Sequence, residues 1–440
     1  PDDAARAWAE EPGIEAEDVL LAVPRAALFV PQLALRVAFL PLRGLVWVVD
    51  EYRLVQRYES VFFSDDGTRG VLPTFGFQSG YGFSAGLSYF DTDLFDHDEE
   101  LHLSARFGGR FLQRYEAAFE GAHVGGSALW LDLLARYESQ PALYFYGLGD
   151  AGDLDGAAPA GGFDPRAGAR ATRYREDRVL GVVHIGGTFG DPGRPSVAED
   201  VDGWERGTIV RLGASFVMNA RDFGGESREY DEPSIEAVYD TARLPGFRGG
   251  STSVEALATL IVDTRDNEGR PSRGAFVQLL GGGAVPGVDG PGWWHAGGEV
   301  SGWLDLSRGD RVLMLRAMME GVVGDDADIP FSDLPRLGGP NRLRGYDDGR
   351  FRDKVAAMAS VAYFYPVHEM VSGELFFDGG RVARTVGDAL DVDAWHFGGG
   401  LGLVIGTEDD VLFRLEVSYG EAFLVTLSTS PFEAFDEREE

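Results

Sequence analysis

The chain has no cysteine, which removes disulfides and thiolate metal sites and suits a protein that crosses an oxidising compartment. Long hydrophobic runs are missing too. No stretch approaches the roughly 20 uncharged apolar residues that a membrane-spanning helix needs. Positive charge is scarce: 39 Lys plus Arg stand against 72 Asp plus Glu, a formal net charge of −33. Such a surface repels phosphate backbones, so no nucleic-acid partner is expected. His184, His295, His368 and His396 are scattered, which gives neither zinc spacing nor a catalytic histidine. Gly338-Gly339-Pro340 is followed by no Lys-Ser/Thr pair and so is not a phosphate loop. The expectation is a protein with no cofactor, no metal and no enzymatic activity. No signal peptide is visible at Pro1; an exported chain would have lost it before this start.

What is present is alternation. There are 61 glycines and 12% aromatics, and after Asp65-Asp66-Gly67 apolar residues recur every second position. Sixteen strands follow from this period. They run 71–78, 81–90, 99–108, 112–122, 127–138, 172–190, 207–219 and 251–263. The rest are 274–284, 294–305, 311–323, 355–365, 371–383, 395–405, 411–419 and 422–430. Val411, Phe413, Leu415, Val417 and Tyr419 share one face of their strand, while Arg414, Glu416 and Ser418 take the other. A soluble sheet also alternates, but sixteen such strands leave no separate apolar layer to cover that face. Hydrocarbon is the better partner. The fold class expected is all-β: a 16-stranded antiparallel transmembrane β-barrel spanning 71–435.

With the amino terminus periplasmic, short connections at His123–Gly126, Leu306–Asp310, Tyr365–Met370 and Gly406–Asp410 lie on the periplasmic side. The longer 139–171, 220–250, 324–354 and 384–394 lie outside. Connections 91–98 and 191–206 are long for periplasmic turns and put one flanking strand in question. The acidic runs Asp91–Glu100 and Asp325–Asp333 read as solvated loops before they read as calcium sites or divalent bridges to lipopolysaccharide.

Ahead of the barrel, residues 1–16 form a flexible polar terminus and 17–60 a short amphipathic helical segment. Arg25, Arg36 and Arg43 fall on nearly one side of a helix at roughly 100° per residue, with Trp47 close by. Pro24, Pro31 and Pro41 break it into pieces. The segment is read as lying at the periplasmic membrane interface, arginines toward the headgroups. A helical hairpin packed on a soluble core is the other reading.

Two motifs stand apart. Leu343-Arg344-Gly345-Tyr346 lies in the 324–354 loop, and Phe376-Phe377-Asp378-Gly379-Gly380 puts an acid inside an apolar strand. Glu374 shares the Asp378 face. Spacing alone leaves two readings open: Arg344 pairs with Asp378 in the lumen, or each group meets water. Together these motifs resemble the BamA/TamA superfamily of outer-membrane assembly and secretion barrels, and that resemblance implies the pairing. Loop six would fold into the lumen, latched by Arg344, Gly345 and Tyr346 on Asp378, with Glu374 as second acceptor. Family barrels often carry a further acid where this chain has Ala362, four positions before Pro366, so a reduced network is expected. Fewer than 70 residues precede the first strand, too few for the family's POTRA domains; a short, POTRA-less member is expected. Tyr144-Phe145-Tyr146-Gly147-Leu148-Gly149-Asp150 also resembles a family signature, without assignable chemistry.

The resemblance also implies a place for function. The terminal strand, with Phe423, Val425 and Leu427, closes on a first strand containing Pro73 and Gly76. Proline removes a ladder donor and glycine weakens a strand, so this seam is expected to be poorly bonded. The primary reading is a factor that helps proteins, or lipids, enter or cross the outer membrane there. The alternative is a plugged barrel acting as membrane anchor or docking platform; a passive pore is disfavoured by the plug. Expected partners are outer-membrane lipid and lipopolysaccharide, and a periplasmic or outer-membrane partner or client protein.

Overall fold

The computed structural model describes residues 62–64, 67–92, 94, 99–121, 128–150, 171–190, 208–226, 230–267, 270–285, 292–307, 311–368, 371–406 and 411–428. The amphipathic segment with Arg25, Arg36, Arg43 and Trp47 lies outside these residues.

Sixteen strands close into an antiparallel barrel in which each neighbour in sequence is a neighbour in space. In chain order they begin with β1 (Arg69–Gln78), β2 (Gly82–Asp91), β3 (Glu100–Gly108), β4 (Phe111–Glu120), β5 (Leu129–Phe145) and β6 (Thr172–Gly190). Next come β7 (Ile209–Gly225), β8 (Ser251–Asp263), β9 (Gly274–Ala284), β10 (Trp294–Asp305) and β11 (Val312–Val323). A two-stranded hairpin inside the long loop supplies β12 (Arg336–Leu337) and β13 (Phe351–Arg352). The wall resumes with β14 (Val355–His368), β15 (Val371–Ala383), β16 (His396–Gly406), β17 (Val411–Tyr419) and β18 (Phe423–Ser428). Single-turn helices α1 (Ile235–Val238) and α2 (Val386–Ala389) sit in two outer loops.

Alternation decides which side chains face which solvent. Phe83, Leu87, Phe107, Leu133, Ile185, Phe216, Leu315, Phe377 and Leu401 all point outward and are exposed, a belt that only lipid would cover. The inward positions between them carry buried ions: Arg136, Glu138, Arg178, Glu255, Glu299, Arg316, Glu374 and Asp378. Buried charges are tolerated when paired, and here they are. Arg178 meets Glu138 at 3.2 Å, Arg316 meets Glu299 at 3.0 Å, and Arg136 donates to Glu116 at 2.6 Å.

Two expectations need correction. Both long periplasmic connections are kept together with all four strands beside them: β2 pairs with β3, and β6 with β7, residue by residue. The outer segments 139–145 and 220–225, read as loop, are the upper ends of β5 and β7. Pro141 hid the first of these. It sits where the β5–β6 register shifts between Gln140 and Leu143, and such a bulge is where a strand accommodates proline.

The tall ends of β5–β7 hold an aromatic dome over the lumen. Phe331, from a 3-10 turn of the 324–354 loop, is fully buried at its centre. The rings of Phe223, Tyr174, Phe145 and Phe247 surround it at centroid distances of 4.9, 5.6, 5.8 and 5.9 Å.

Candidate functional site

The 324–354 loop turns back into the barrel because its stem and tip are both built for it. The stem is the pair Arg336↔Arg352 and Leu337↔Phe351, with Leu337 and Phe351 fully buried among wall residues Met318, Met358 and Val382. At the tip, Gly338 N donates to Arg342 O at 2.6 Å and Gly339 N to Tyr346 O at 2.9 Å. This tight crossing needs left-handed backbone. Gly345 has φ +94°, and Leu343 has φ 66°, a strained value for a side-chain-bearing residue. The Leu343 side chain is fully buried, and that apolar anchorage offsets the strain.

The tip delivers Arg344 to a prepared nest. Its backbone N and its Nε both donate to Asp378 Oδ2, at 3.0 and 2.7 Å, and Nη2 donates to Asp378 Oδ1 at 2.8 Å. Nη1 donates to Glu374 at 2.9 Å and to Glu416 at 3.0 Å. Ser360 lies opposite Asp378 on β14 and completes the ring, its hydroxyl donating to Asp378 Oδ1 at 2.6 Å. Beneath the guanidinium lies the Phe376 ring, 3.5 Å from Cζ to centroid. A planar fork with five donors is the side chain suited to such a bidentate, stacked position.

The floor of the nest is a glycine trough on β16. Gly398, Gly400 and Gly402 stand opposite Asp378, Phe376 and Glu374 in register. A Cβ on Gly398 would come within 2.0 Å of Arg344 O, and one on Gly400 within 2.6 Å of the Phe376 ring. Side chains there would keep the tip out. Tyr346 fastens the far side: its hydroxyl donates to Phe397 O at 3.0 Å, and Gly345 O accepts from Glu421 N at 3.0 Å.

The structure therefore brings Arg344, Gly345, Tyr346, Asp378 and Glu374 together. The expectation of a reduced network is corrected. Ala362 faces Phe376 across the β14–β15 register, a small residue beside the ring that carries Arg344, and the third carboxylate comes from Glu416 on β17. Glu416 was missed because it is two strands from Glu374, with Gly402 between them. Lumenal alternation on 411–419 was the signal available. Arg414 adds a second cation, 3.6 Å from Glu374 and 3.8 Å from Glu416.

The Tyr144–Asp150 stretch acquires chemistry as a second fastening, at the outer rim. Tyr146 OH donates to Asp347 at 2.5 Å, and Gly149 N donates to Arg352 O at 2.7 Å. Asp150 binds Arg381 and His396, each at 2.9 Å. Burial holds the Asp347 carboxyl above the usual carboxylate range; Glu421 and Asp348 add to this and the Tyr146 bond opposes it. Arg173, sandwiched 3.4 Å over the Tyr144 ring, fixes the base of the stretch through Ala142 O at 3.0 Å. In the acidic run after the β11 strand, Asp326 is an ion-pair partner of Lys354 and Arg384.

The seam residues are placed differently. Among the described residues, β1 and β18 share two register pairs, Phe77↔Leu427 and Gln78↔Thr426. One further clamp lies above them, where Ser79 N donates to Val425 O at 3.0 Å and Val425 N to Ser79 Oγ at 2.8 Å. Among the described residues Pro73 pairs with Leu87 of β2, and Gly76 with Ser84. Phe423 is exposed at the outer end, tilted on Tyr419 at 4.7 Å.

A plugged sixteen-strand barrel with this arginine nest is matched by a known family: residues 206–423 fit the family model described as the Omp85 superfamily domain. This chain is an Omp85 superfamily barrel. Its location is the bacterial outer membrane. Among solved structures, BamA from Haemophilus ducreyi lacking POTRA domains 1-3 is similar with a TM-score of 0.51. That match has 15% identity and covers 82% of this chain and 70% of the other, a likeness of fold alone. CdiB from Acinetobacter baumannii (12% identity, TM-score 0.45) and CdiB from Escherichia coli (9%, 0.47) are more distant. Each aligns with 81% of this chain, which spans 58% and 62% of their lengths, and nothing below rests on them. No curated protein matches the chain.

Proposed function

We propose that this Omp85 barrel assists insertion or translocation of proteins, or of lipids, at the junction of β1 and β18. The observation that carries the reading is the seam, which among the described residues has two register pairs, against six between β17 and β18 and seventeen between β6 and β7. Backbone pairing is what keeps a barrel wall shut in hydrocarbon, where unpaired N–H and C=O groups are costly. The thinnest pairing is therefore where the wall parts with least loss, and a client strand would satisfy the edges it exposes. The reading involves no catalytic step. Arg344 acts as the latch of loop six, keeping the lumen plugged while the seam works.

A disulfide between cysteines introduced at Gln78 and Thr426, which face each other in register, tests this in a chain without native thiols. Locking should abolish assembly of a reporter client, and reduction should restore it; unchanged assembly in the locked barrel would sink the proposal. A second reading, a plugged anchor or docking platform, is favoured by the double fastening of loop six at Asp378 and at Asp347. Under that reading locking leaves cell phenotype intact while removal of the outer rim contacts does not.

A further inference from the structure

We propose that residues 384–395, between β15 and β16, are set into the outer leaflet of the membrane, with Val386, Leu390 and Val392 among the acyl chains. Strand spacing makes this stretch an outer loop, and an outer loop ordinarily meets water. Its three large apolar side chains are nevertheless 48, 54 and 58% exposed. Apolar side chains grouped in this way on a protein's outside mark a contact surface.

The stretch lies against the outer side of the wall, not over its mouth. Along β14, Ala356 and Met358 pack inward on Leu337, Leu343 and Phe351 of loop six, so the alternate residues Val355 and Ala357 face outward. These two, and Ala383 of β15, are buried all the same, against Ala389 of α2 with Trp395 packed beside them. Lipid is thus displaced from the outer ends of two strands by a small element whose own outer face is apolar. That face continues the belt. Phe377 and Phe397, both exposed, stack at 5.6 Å. A Cβ on Gly379 would meet the Phe397 ring at 2.8 Å and the Trp395 ring at 3.1 Å, so the belt runs on from these phenylalanines through Trp395 to α2. Across β14, Trp294 and Val323 oppose each other at the outer ends of β10 and β11, and both are highly exposed. Continuity with a surface that already faces hydrocarbon names the occupant as lipid acyl chain.

The polar groups of the stretch are closed for such a place. Backbone N–H groups of Ala389, Leu390, Asp391, Ala394 and Trp395 all donate within it, at 3.0 to 3.2 Å. Arg381 Nη1 donates to Asp388 O and Trp395 Nε1 to Ala389 O, each at 2.9 Å. The Asp388 carboxylate accepts from the Thr385 hydroxyl at 2.7 Å, and Arg384 is held by Asp326 at 2.6 Å. Backbone bonded to itself is what apolar surroundings demand. Asp393, which is exposed, sets the depth: its carboxylate stays among the headgroups, so the three apolar side chains reach the upper acyl region and no deeper. The contact would hold the latch side of the barrel at a fixed level in the membrane.

The test uses the full chain, which has no native thiol, reconstituted singly into phosphatidylglycerol–phosphatidylcholine nanodiscs. Leu390→Cys carries an environment-sensitive fluorophore. Leu315→Cys, on the exposed belt, and Asp231→Cys, on an exposed outer segment, are the lipid and water standards. The label at 390 should emit to the blue of the label at 231. Lipid brominated close to the headgroup should quench it more than lipid brominated deep in the chain, with the order reversed at 315. Val386→Cys, also exposed, repeats the reading at the other end of α2 should Leu390→Cys disturb the turn. Emission at 390 and 386 equal to that at 231, with no quenching by either lipid, overturns the proposal. Blue emission without quenching overturns it too, since a protein surface would then cover the patch: another part of this chain in single-barrel discs, or a second copy if the shift appears only in crowded vesicles. The measurement involves no client and no opening of the wall, so its outcome is independent of the seam mechanism.

Discussion

Two stretches of the same wall are built to opposite rules. From β14 to β17 the ladders run unbroken over most of each strand, and the inward face is filled by Arg344, Asp378, Glu374, Glu416 and Ser360 bonded to one another. From β18 to β1 the described residues hold the wall by two register pairs and the Ser79–Val425 clamp, with a proline in β1. The first stretch keeps loop six docked by side-chain bonds; the second, among the described residues, closes the barrel by few backbone bonds. Plug and gate are thus separable. A barrel can loosen its seam without releasing Arg344, because the bonds of that side chain run to β14, β15 and β17, all on one side of the seam, while Tyr146 and Gly149 fasten the loop from the other side.

Breaking the strong side should have the largest effect. Arg344→Ala leaves Asp378, Glu374 and Glu416 buried without their common cation, a loss of about 3–5 kcal/mol by analogy with other split buried pairs. The urea midpoint in detergent should fall accordingly, and planar-bilayer conductance should rise as the tip leaves the lumen. A midpoint within error of the parent would show that the nest does not hold the loop. On the weak side, the Gln78→Cys/Thr426→Cys pair should stabilise the oxidised barrel by roughly 2–4 kcal/mol, while client assembly stops. Restored stability with assembly intact would show that the thin seam has no part in function.

A third substitution sharpens the contrast without touching charge. Gly398→Ala places a methyl group 2.0 Å from Arg344 O, and overpacking of this kind costs about 1–3 kcal/mol. Gly399→Ala, one residue on, meets the Phe377 ring at 3.5 Å and its worst contact is Phe376 O at 3.1 Å, so it should cost less. Protease nicking of loop six reads the difference; equal sensitivity in the two variants would mean the trough does not seat the tip.

Much of this was legible in the sequence because barrel strands carry a local signal. Period-two alternation located every strand of the wall, six of them (172–190, 251–263, 274–284, 294–305, 371–383 and 411–419) to the residue, and Asp378 stood out as an acid among apolar neighbours. What stayed hidden was not local. Glu416 reaches Arg344 across 72 positions and Tyr146 reaches Asp347 across 201. Neither partnership follows from spacing, only from strand register and from where the loop lands. The reduced network expected at Ala362 failed for the same reason: the count ran along β14, whereas the third acid came from β17. Conversely, the strand expected over 127–138 runs on to Phe145, past Pro141 and the register shift between Gln140 and Leu143.

The smallest expected effect lies at the outer rim, in the pH dependence of the Tyr146–Asp347 fastening. Burial raises the Asp347 carboxyl above its ordinary value when the loop is docked, so docking favours the protonated acid. As pH rises from the ordinary value to the raised one, the undocked loop ionises first, and docking loses free energy across that window; above it the loss is constant. Mild acid should therefore slow proteolysis of loop six relative to neutral pH. Asp347→Asn retains an acceptor for the Tyr146 hydroxyl and cannot ionise. The parent-minus-variant difference in nicking rate should consequently shrink as pH falls, which cancels the titration of every other group common to both chains. A difference that is flat with pH, or that grows in acid, would mean that Asp347 ionises as freely in the docked loop as outside it, and that the rim fastening rests on the Gly149–Arg352 and Asp150 contacts alone.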